Sequence, residues 1–386
     1  MSTQESYLKS KYFVKAIISG SCYSRSSSLS LFRTLCAFEL SHLENLDRSL
    51  NIFWIGGSYD QDYSGTIQAL SAKYQVYTYN FRNHVYGPIH SGIELGAGLD
   101  DESILKLNEV EVLNQIDHLS QDNIQIDIVM GQLWGNIYSS SLFKQLKTRN
   151  CIVINISMDD RLPNLWISSN KFQRHGAVGL GPNVDMTLTT SPNCCEWYWQ
   201  EGMNSLYFPL ASSPEFFSKP RTQSPSLRPI DVLFIGNNYG IRSSIVKYLV
   251  QSGIDIHCYG KGWPNGFATA EQSAELYQSA KIVLGIGYVG LSNKITTLKL
   301  RDFDAVMSGA LYITVYNYDL SKIFAEGSEI EFYRNYAELL SKINFYLSHP
   351  EKLLYVTKLG QRKAFDQHSW SYRFAETFKL LGIPVQ

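Results

Sequence analysis

No block of lysines and arginines stands anywhere in the 386 residues, and 34 basic side chains against 35 acidic ones leave a formal net charge of −1. That balance excludes the electrostatic footprint of a nucleic-acid binder. Cysteine is sparse: Cys22, Cys36, Cys151, Cys194, Cys195 and Cys258 show no metal-like spacing, and the adjacent Cys194-Cys195 suits neither a metal knuckle nor an easy disulfide. Reduced thiols in a cytoplasmic protein are the expectation. No apolar run approaches the ~20 residues that span a bilayer. Ser, Arg and Tyr interrupt every apolar piece near the start, so no signal-peptide core is expected there. Peripheral contact at the inner face of a membrane stays open. The histidines form no HxxxH or HExxH pair.

What is present is globular and long enough for two domains: 44% hydrophobic and 18% charged residues, with no compositionally disordered half. Short apolar runs alternate with helix-period stretches, the mark of an α/β chain with parallel sheets. Strands are expected at Ile52–Ile55, Tyr74–Tyr79, Ile126–Met130, Cys151–Ile156 and Met186–Thr190, with helices over Tyr63–Ala72, Ser103–Leu119 and Ser139–Leu146 between them. Residues 1–50, Ser-rich and then helical from Leu31 to Leu43, are an extension or the start of the first domain. That domain covers 51–209. Residues 210–230, rich in Pro, Ser and Arg, predict a linker. A second domain covers 231–369, with strands at Asp231–Ile235, Ile256–Tyr259, Ile282–Gly285 and Leu311–Thr314. A last helix fills 370–386. Each half opens with the same device, NIFWIGGS and DVLFIGNN, which suggests two Rossmann-like domains.

The most informative stretch is TLKLRDFDAVMSGALYIT, Thr297 to Thr314. It predicts a helix that carries Arg301 and Asp304 one turn apart, stops at Ser308-Gly309 and runs into a strand. A helix start offers backbone N–H groups and a positive dipole end to phosphate, and an acid further in reaches ribose hydroxyls. A nucleotide-diphosphate site follows.

Read in order, DVLFIGNNYGIRSSIVKYL, IHCYGKGWP, LYQSAKIVLGI, LKLRDFDAVMSGALYIT and the tail containing YLSHPEK resemble the donor-binding half of a group 1 glycosyltransferase. More narrowly they resemble the spore-maturation CgeB-like branch. The match falls on Leu300, Arg301, Phe303, Asp304, Ala305, Gly309 and Leu311, then on Tyr346-Leu347, His349-Pro350-Glu351, Gly360 and His368. It covers Asp231 to Leu381 well and is fainter before that. The resemblance implies GT-B architecture: two Rossmann-like domains enclosing a cleft, with the C-terminal helix returning to the first. The family's usual Glu is Asp304 here. Thr296 stands where retaining members carry a second Glu, so no stereochemical outcome is implied.

The donor-side candidates are Gly236, Asn237, Arg242, Gly260, Lys261, Trp263, Thr297, Arg301 and Asp304. Asp304 would accept from the ribose, although a solvated acid paired to Arg301 has the same spacing. Arg301 suits phosphate better than Lys299, and the two diverge by ~200° on a helix. Gly236 lets backbone approach a ligand, yet GNNYG is no GxGxxG. Arg242 reaches phosphate or is an ordinary helix charge. Gly260, Lys261 and Trp263 border the nucleobase, or Trp263 simply packs. The Gly-rich Gly285–Asn293 falls where the donor phosphate or sugar should lie.

On the first domain Gly56-Gly57-Ser58 should border the site. Asp60, His90, Asp159 and Asp160 are the candidates for taking the acceptor's proton, although paired acids at a strand end also serve as caps. Asp60/Asp62 is the one carboxylate pair that could share an ion; independence of metal and of any cofactor is expected. The expected partners are a nucleotide-sugar donor and an acceptor left open among carbohydrate, lipid-linked and protein. A non-hydrolysing nucleotide-sugar epimerase and a degenerate carbohydrate- or partner-binding protein remain as alternatives. Twenty-five tyrosines and seven tryptophans suit sugar stacking or core packing equally.

Overall fold

The computed structural model describes residues 26–56, 62–80, 99–167, 174–218 and 227–385. They form two compact units: one reaches Pro209 and takes back the chain from Phe374, and the other is Leu210–Arg373.

The first unit holds six parallel strands: β1 (Asn51–Gly56), β2 (Gln75–Asn80), β3 (Ile128–Gly131), β4 (Ile152–Ser157), β5 (Met186–Thr189) and β6 (Ser205–Tyr207). Their order is β2-β1-β3-β4-β5-β6. β1, β3, β4 and β5 are buried at every position, as strands covered on both faces must be. On one face α4 (Asp101–Gln121) and α5 (Ser140–Lys147) bring Val112, Ile116, Leu142, Phe143 and Leu146 against Phe53, Ile55, Val129 and Val153. Each helix starts on a side-chain cap, Asp100 accepting from the Ser103 N–H and Ser139 from the Leu142 N–H. The opening helix expected as one piece is two, α1 (Ser26–Leu35) and α2 (Ala37–Glu44), broken at Cys36. The stretch after β1 is a π-helical turn, Tyr63–Ile67, leading into α3 (Gln68–Ser71).

The second unit holds five parallel strands: β7 (Ile230–Ile235), β8 (Ile256–Tyr259), β9 (Ala280–Gly285), β10 (Leu311–Val315) and β11 (Glu331–Tyr333), in the order β11-β10-β9-β7-β8. Its helices are α7 (Pro214–Phe217), α8 (Arg242–Gln251), α9 (Ala270–Ser279), α10 (Arg301–Met307), α11 (Tyr336–Ser348) and α12 (Pro350–Gln367); α6 (Pro192–Gln200) belongs to the first unit. The short edge strands β6 and β11 are the ones sequence periodicity missed, because three residues show no period.

Both sheets reverse direction between their first and third strands. In an open parallel sheet the crevice outside the strand ends at that reversal is where ligands bind. For the second unit this directs attention to the ends of β7 and β9.

Where it is described, at 210–218 and 227–230, the predicted linker is built into the second unit. Phe217 is buried against Tyr277, with ring centroids 6.1 Å apart. Arg228 is buried too, and its guanidinium donates to the carbonyls of Ala280 and Ser308. The described parts of the stretch are packed against the second unit. The last helix, α13 (Trp370–Leu381), begins in the second unit and ends in the first. There Phe374 packs on Phe208 and Phe378 on Tyr74, at 5.8 and 5.5 Å between ring centroids.

Candidate functional site

The β7 sequence IDVLFI is apolar and β-branched enough to sit in the middle of the sheet, and it ends at Gly236. Gly236 closes the strand by donating its N–H to the Tyr259 carbonyl at 2.8 Å, which joins the tips of β7 and β8. The two loops that follow are laced together. Asn238 N–H donates to the Lys261 carbonyl at 2.8 Å, and Lys261 N–H donates to Asn237 Oδ1 at 3.0 Å. Trp263 Nε1 donates to the Gly236 carbonyl at 2.7 Å while its ring meets Phe234 edge-on. The indole is half-buried against the apolar core of the second unit, with its N–H spent on the loop.

Gly260 carries φ +128°, and a Cβ placed there would stand 2.5 Å from the backbone of Gly236. Only glycine allows that approach. Gly260→Ala should therefore lower stability by about 1–3 kcal/mol and loosen both loops, read as a fall in denaturation midpoint.

Arg242 is buried, with its guanidinium 3.9 Å from the Tyr239 ring centroid and Nη1 donating to the Asn237 carbonyl at 2.7 Å. It holds the loop from behind. Arg301 is placed differently. Its guanidinium carbon lies 5.0 Å from the Phe234 ring centroid, and a Cβ on Gly236 would sit 2.7 Å from Arg301 Nη2. The glycine thus leaves the room into which the cation fits. Arg301 Nη1 is enclosed and has no hydrogen-bond partner, and neither has the hydroxyl of fully buried Thr297. Two enclosed, unpartnered polar groups at a sheet reversal are what an absent polar ligand would satisfy.

The helix predicted from Thr297 starts only at Arg301, and the reason is local. Thr297 N–H donates to the Gly287 carbonyl, and Val289 N–H to the Ile295 carbonyl, so residues 287–297 form a hairpin beyond β9. Asp302 then accepts from the Lys299 N–H at 2.7 Å and from the Tyr312 hydroxyl at 2.5 Å, which pins the helix start to β10. Burial pushes the Asp302 carboxyl up to about 6. The helix ends at Gly309, φ +70°, where the chain turns into β10.

Residues 285–290, GIGYVG, have GxGxxG spacing. The segment enters a hairpin instead of a helix, so the dinucleotide fingerprint does not apply. Its role is approach: the Gly290 carbonyl would lie 3.6 Å from a Cβ at Gly240, bringing the loops after β7 and β9 together.

Asp304 is half-buried, and its Oδ1 accepts from the Ser212 hydroxyl at 2.7 Å. Burial first, and then the neighbouring Asp302 charge, push its carboxyl up to about 8, against the pull of the Ser212 bond and Arg301. Gly236, Arg301, Thr297 and Asp304 belong to one unit around the reversal, as do Asn237, Gly260 and Lys261 in the laced loops, where Asn237 and Lys261 are exposed.

The comparisons with known proteins fit this geometry. Residues 242–379, less than half of the chain, match the model of a glycosyl transferase-like family. No curated protein sequence matches this chain significantly. Among solved structures, sucrose-phosphate synthase from Thermosynechococcus elongatus superposes with a TM-score of 0.59 at 14% identity, covering 86% of this chain and 98% of that one. A glycosyltransferase from Rickettsia africae gives 0.57 at 9% identity, over 86% and 98%. Anabaena HepE in complex with UDP and glucose gives 0.54 at 12% identity, over 86% and 99%. The fold is GT-B.

The candidate acids of the first unit divide. Asp160 is 1% exposed, and its carboxylate takes the hydroxyls of Ser157, Thr189 (2.5 Å) and Tyr198 (2.7 Å). Enclosed on all sides, it ties β4, β5 and α6 together and does not present itself to an acceptor, which corrects its place among the candidate bases. Desolvation raises its carboxyl above the usual range in spite of those bonds. Asp159 beside it is half-buried and sits at φ +59°. Asp60, His90, Gly57 and Ser58 lie outside the described residues. The other member of the pair read as able to share an ion, Asp62, is buried and accepts from Trp54 Nε1 (3.2 Å) and Gln132 Nε2 (2.8 Å).

Proposed function

We propose that this chain transfers a sugar from a nucleotide-sugar donor to an acceptor hydroxyl, as a member of the group 1 glycosyltransferases close to their CgeB-like branch. The observation that carries it is the enclosed, unpartnered Nη1 of Arg301, whose guanidinium lies against Gly236, together with the unpartnered hydroxyl of Thr297 four residues earlier in the chain. A pyrophosphate offers both groups their missing acceptors, and charge-assisted bonds to phosphate are among the strong ones. Asp304, one turn on from Arg301, is the acceptor for ribose hydroxyls. Gly260 and Lys261 border the base.

In transfer, the bond between the anomeric carbon and the diphosphate oxygen breaks, and negative charge grows on that oxygen. Arg301 and Thr297 meet it, preformed and shielded from water, so that they stabilise the transition state more than the ground state. The departing diphosphate needs no resident metal in this scheme. The acceptor oxygen forms the new bond to the anomeric carbon and gives up its proton to a carboxylate, with Asp159 the half-buried candidate on the described chain.

UDP-glucose is the first donor to try, because HepE has been seen with UDP-glucose bound. In a thermal-shift screen of nucleotides and nucleotide sugars, a donor at about 100 times its Kd should add about 2.7 kcal/mol of stability. A flat response to every one of them would sink the donor site. Incubated with chelator, donor alone should be slowly hydrolysed to free sugar. Isomerised donor would identify an epimerase instead.

A further inference from the structure

Ser212 is not among the candidate site residues of the sequence, and it lies in the stretch that composition marks as a linker. In the fold it is completely buried and held on three sides. Its N–H donates to the His368 carbonyl at 3.0 Å, and its carbonyl accepts from the Trp370 N–H at 2.9 Å, a parallel bridge between the segments at 212 and 369. Its hydroxyl donates to Asp304 Oδ1 at 2.7 Å. The helix that carries Asp304 rests on the same bridge, because the Phe303 ring lies 5.7 Å from the His368 ring. With its backbone locked and its neighbour wedged, Ser212 has little freedom to turn its hydroxyl elsewhere.

We propose that Ser212 is a positioning residue for donor binding: it orients the Asp304 carboxylate so that its second oxygen meets the ribose hydroxyls. This rests on the donor-site reading above. A carboxylate on a helix swings about two torsions, and fixing one oxygen removes that freedom before the ligand arrives. A hydroxyl donor also favours the ionised acid over the neutral one. The groups that bear on Asp304 are Asp302 and Arg301 on its own helix, the Tyr277 phenol of α9, and His368 behind Phe303. Desolvation and the Arg373 charge hold His368 well below its ordinary range, so it stays neutral at and above neutral pH. Burial places Tyr277 at the high end of the scale. Asp302, pushed up to about 6, completes its change of charge at the acid end of the range, and Asp304 is the group of this set that changes charge around 8.

The test is calorimetric affinity for UDP-glucose, or for whichever nucleotide sugar binds, between pH 6 and 9.5. The pyrophosphate of a nucleotide sugar carries fixed charge over that range, and the uracil N3–H, which begins to ionise at its alkaline end, does so equally for every variant, so the difference between variants reports the protein's titration. The wild-type chain should bind more tightly as pH rises, levelling off above about 8. In Ser212→Ala the midpoint should move up by about one pH unit, giving roughly tenfold weaker binding at pH 7 that narrows toward wild type at pH 9.5. Ser212→Cys keeps the shape with a weaker donor and should fall between the two. It also carries the test if the alanine variant does not fold. An unchanged midpoint in both variants, or a loss equal at every pH, would make the serine a structural residue and overturn the proposal. If the wild-type chain binds no nucleotide sugar at any pH, the donor-site reading falls, and this proposal with it.

Discussion

Asp304→Asn should weaken nucleotide-sugar binding by about 3 kcal/mol at pH 9, roughly a hundredfold, while the protein becomes more stable there. Both halves follow from one environment. The folded chain raises this carboxyl from 3.8 to about 8, chiefly through burial. Between those values the folded state keeps a proton that the unfolded chain has released. Stability therefore falls as pH rises through that window, and the loss is complete above about 8. An amide carries no charge to desolvate, so the variant escapes the loss. It also surrenders the ionised acceptor, so its affinity should no longer climb with pH. Calorimetry and thermal unfolding at pH 6 and pH 9 check the two halves together. Lower stability at pH 9 in the variant would mean that Asp304 is a structural acid. Arg301→Ala should cost affinity of the same order at every pH, since guanidinium does not titrate in this range.

Asp160→Ala should lower stability by about 2–4 kcal/mol, on the order of 5–15 °C in the first unit's melting temperature. The substitution removes the acceptor shared by Ser157, Thr189 and Tyr198, three hydroxyls on β4, β5 and the helix beyond. Some of the loss is recovered, because Ser157 and Tyr198 stand 3.2 Å apart and can still bond each other. Asp159→Asn, by contrast, should leave the melting temperature within about 1 °C and act on turnover. The contrast decides which of two adjacent acids is catalytic. Full stability in Asp160→Ala, with activity gone, would restore Asp160 as the base.

The fold was legible to the extent that periodicity carries it. Central strands such as NIFWI and DVLFI announce themselves because both faces are buried, and their expected bounds differ from the structure by a residue or two. The helix–Gly–strand unit that carries Arg301 and Asp304 one turn apart was legible because that spacing is local. Trp263 and Arg242 were not, since whether an indole or a guanidinium faces a ligand or the underside of its own loop depends on partners far along the chain. The same holds for Asp160: sequence places an acid at a strand end, and only β5 and α6 show that it is enclosed. The late start of α10 had a sequence cause, the GIGYVG hairpin that continues to Thr297, but hairpin and helix-entry readings compete there without a decisive local signal.

By itself the sequence determined the class of fold, two parallel-sheet halves, and the helix–glycine–strand unit that carries Arg301 and Asp304, because alternating burial and short-range spacing are properties of the chain alone. Tertiary structure decided which polar groups are left wanting a ligand and which are already satisfied. That question turns on contacts across long separations: Ser212 on Asp304, Gly236 under Arg301, three hydroxyls on Asp160. Hydrogen-bond satisfaction is an accounting over the whole fold, and no stretch of sequence holds both sides of it.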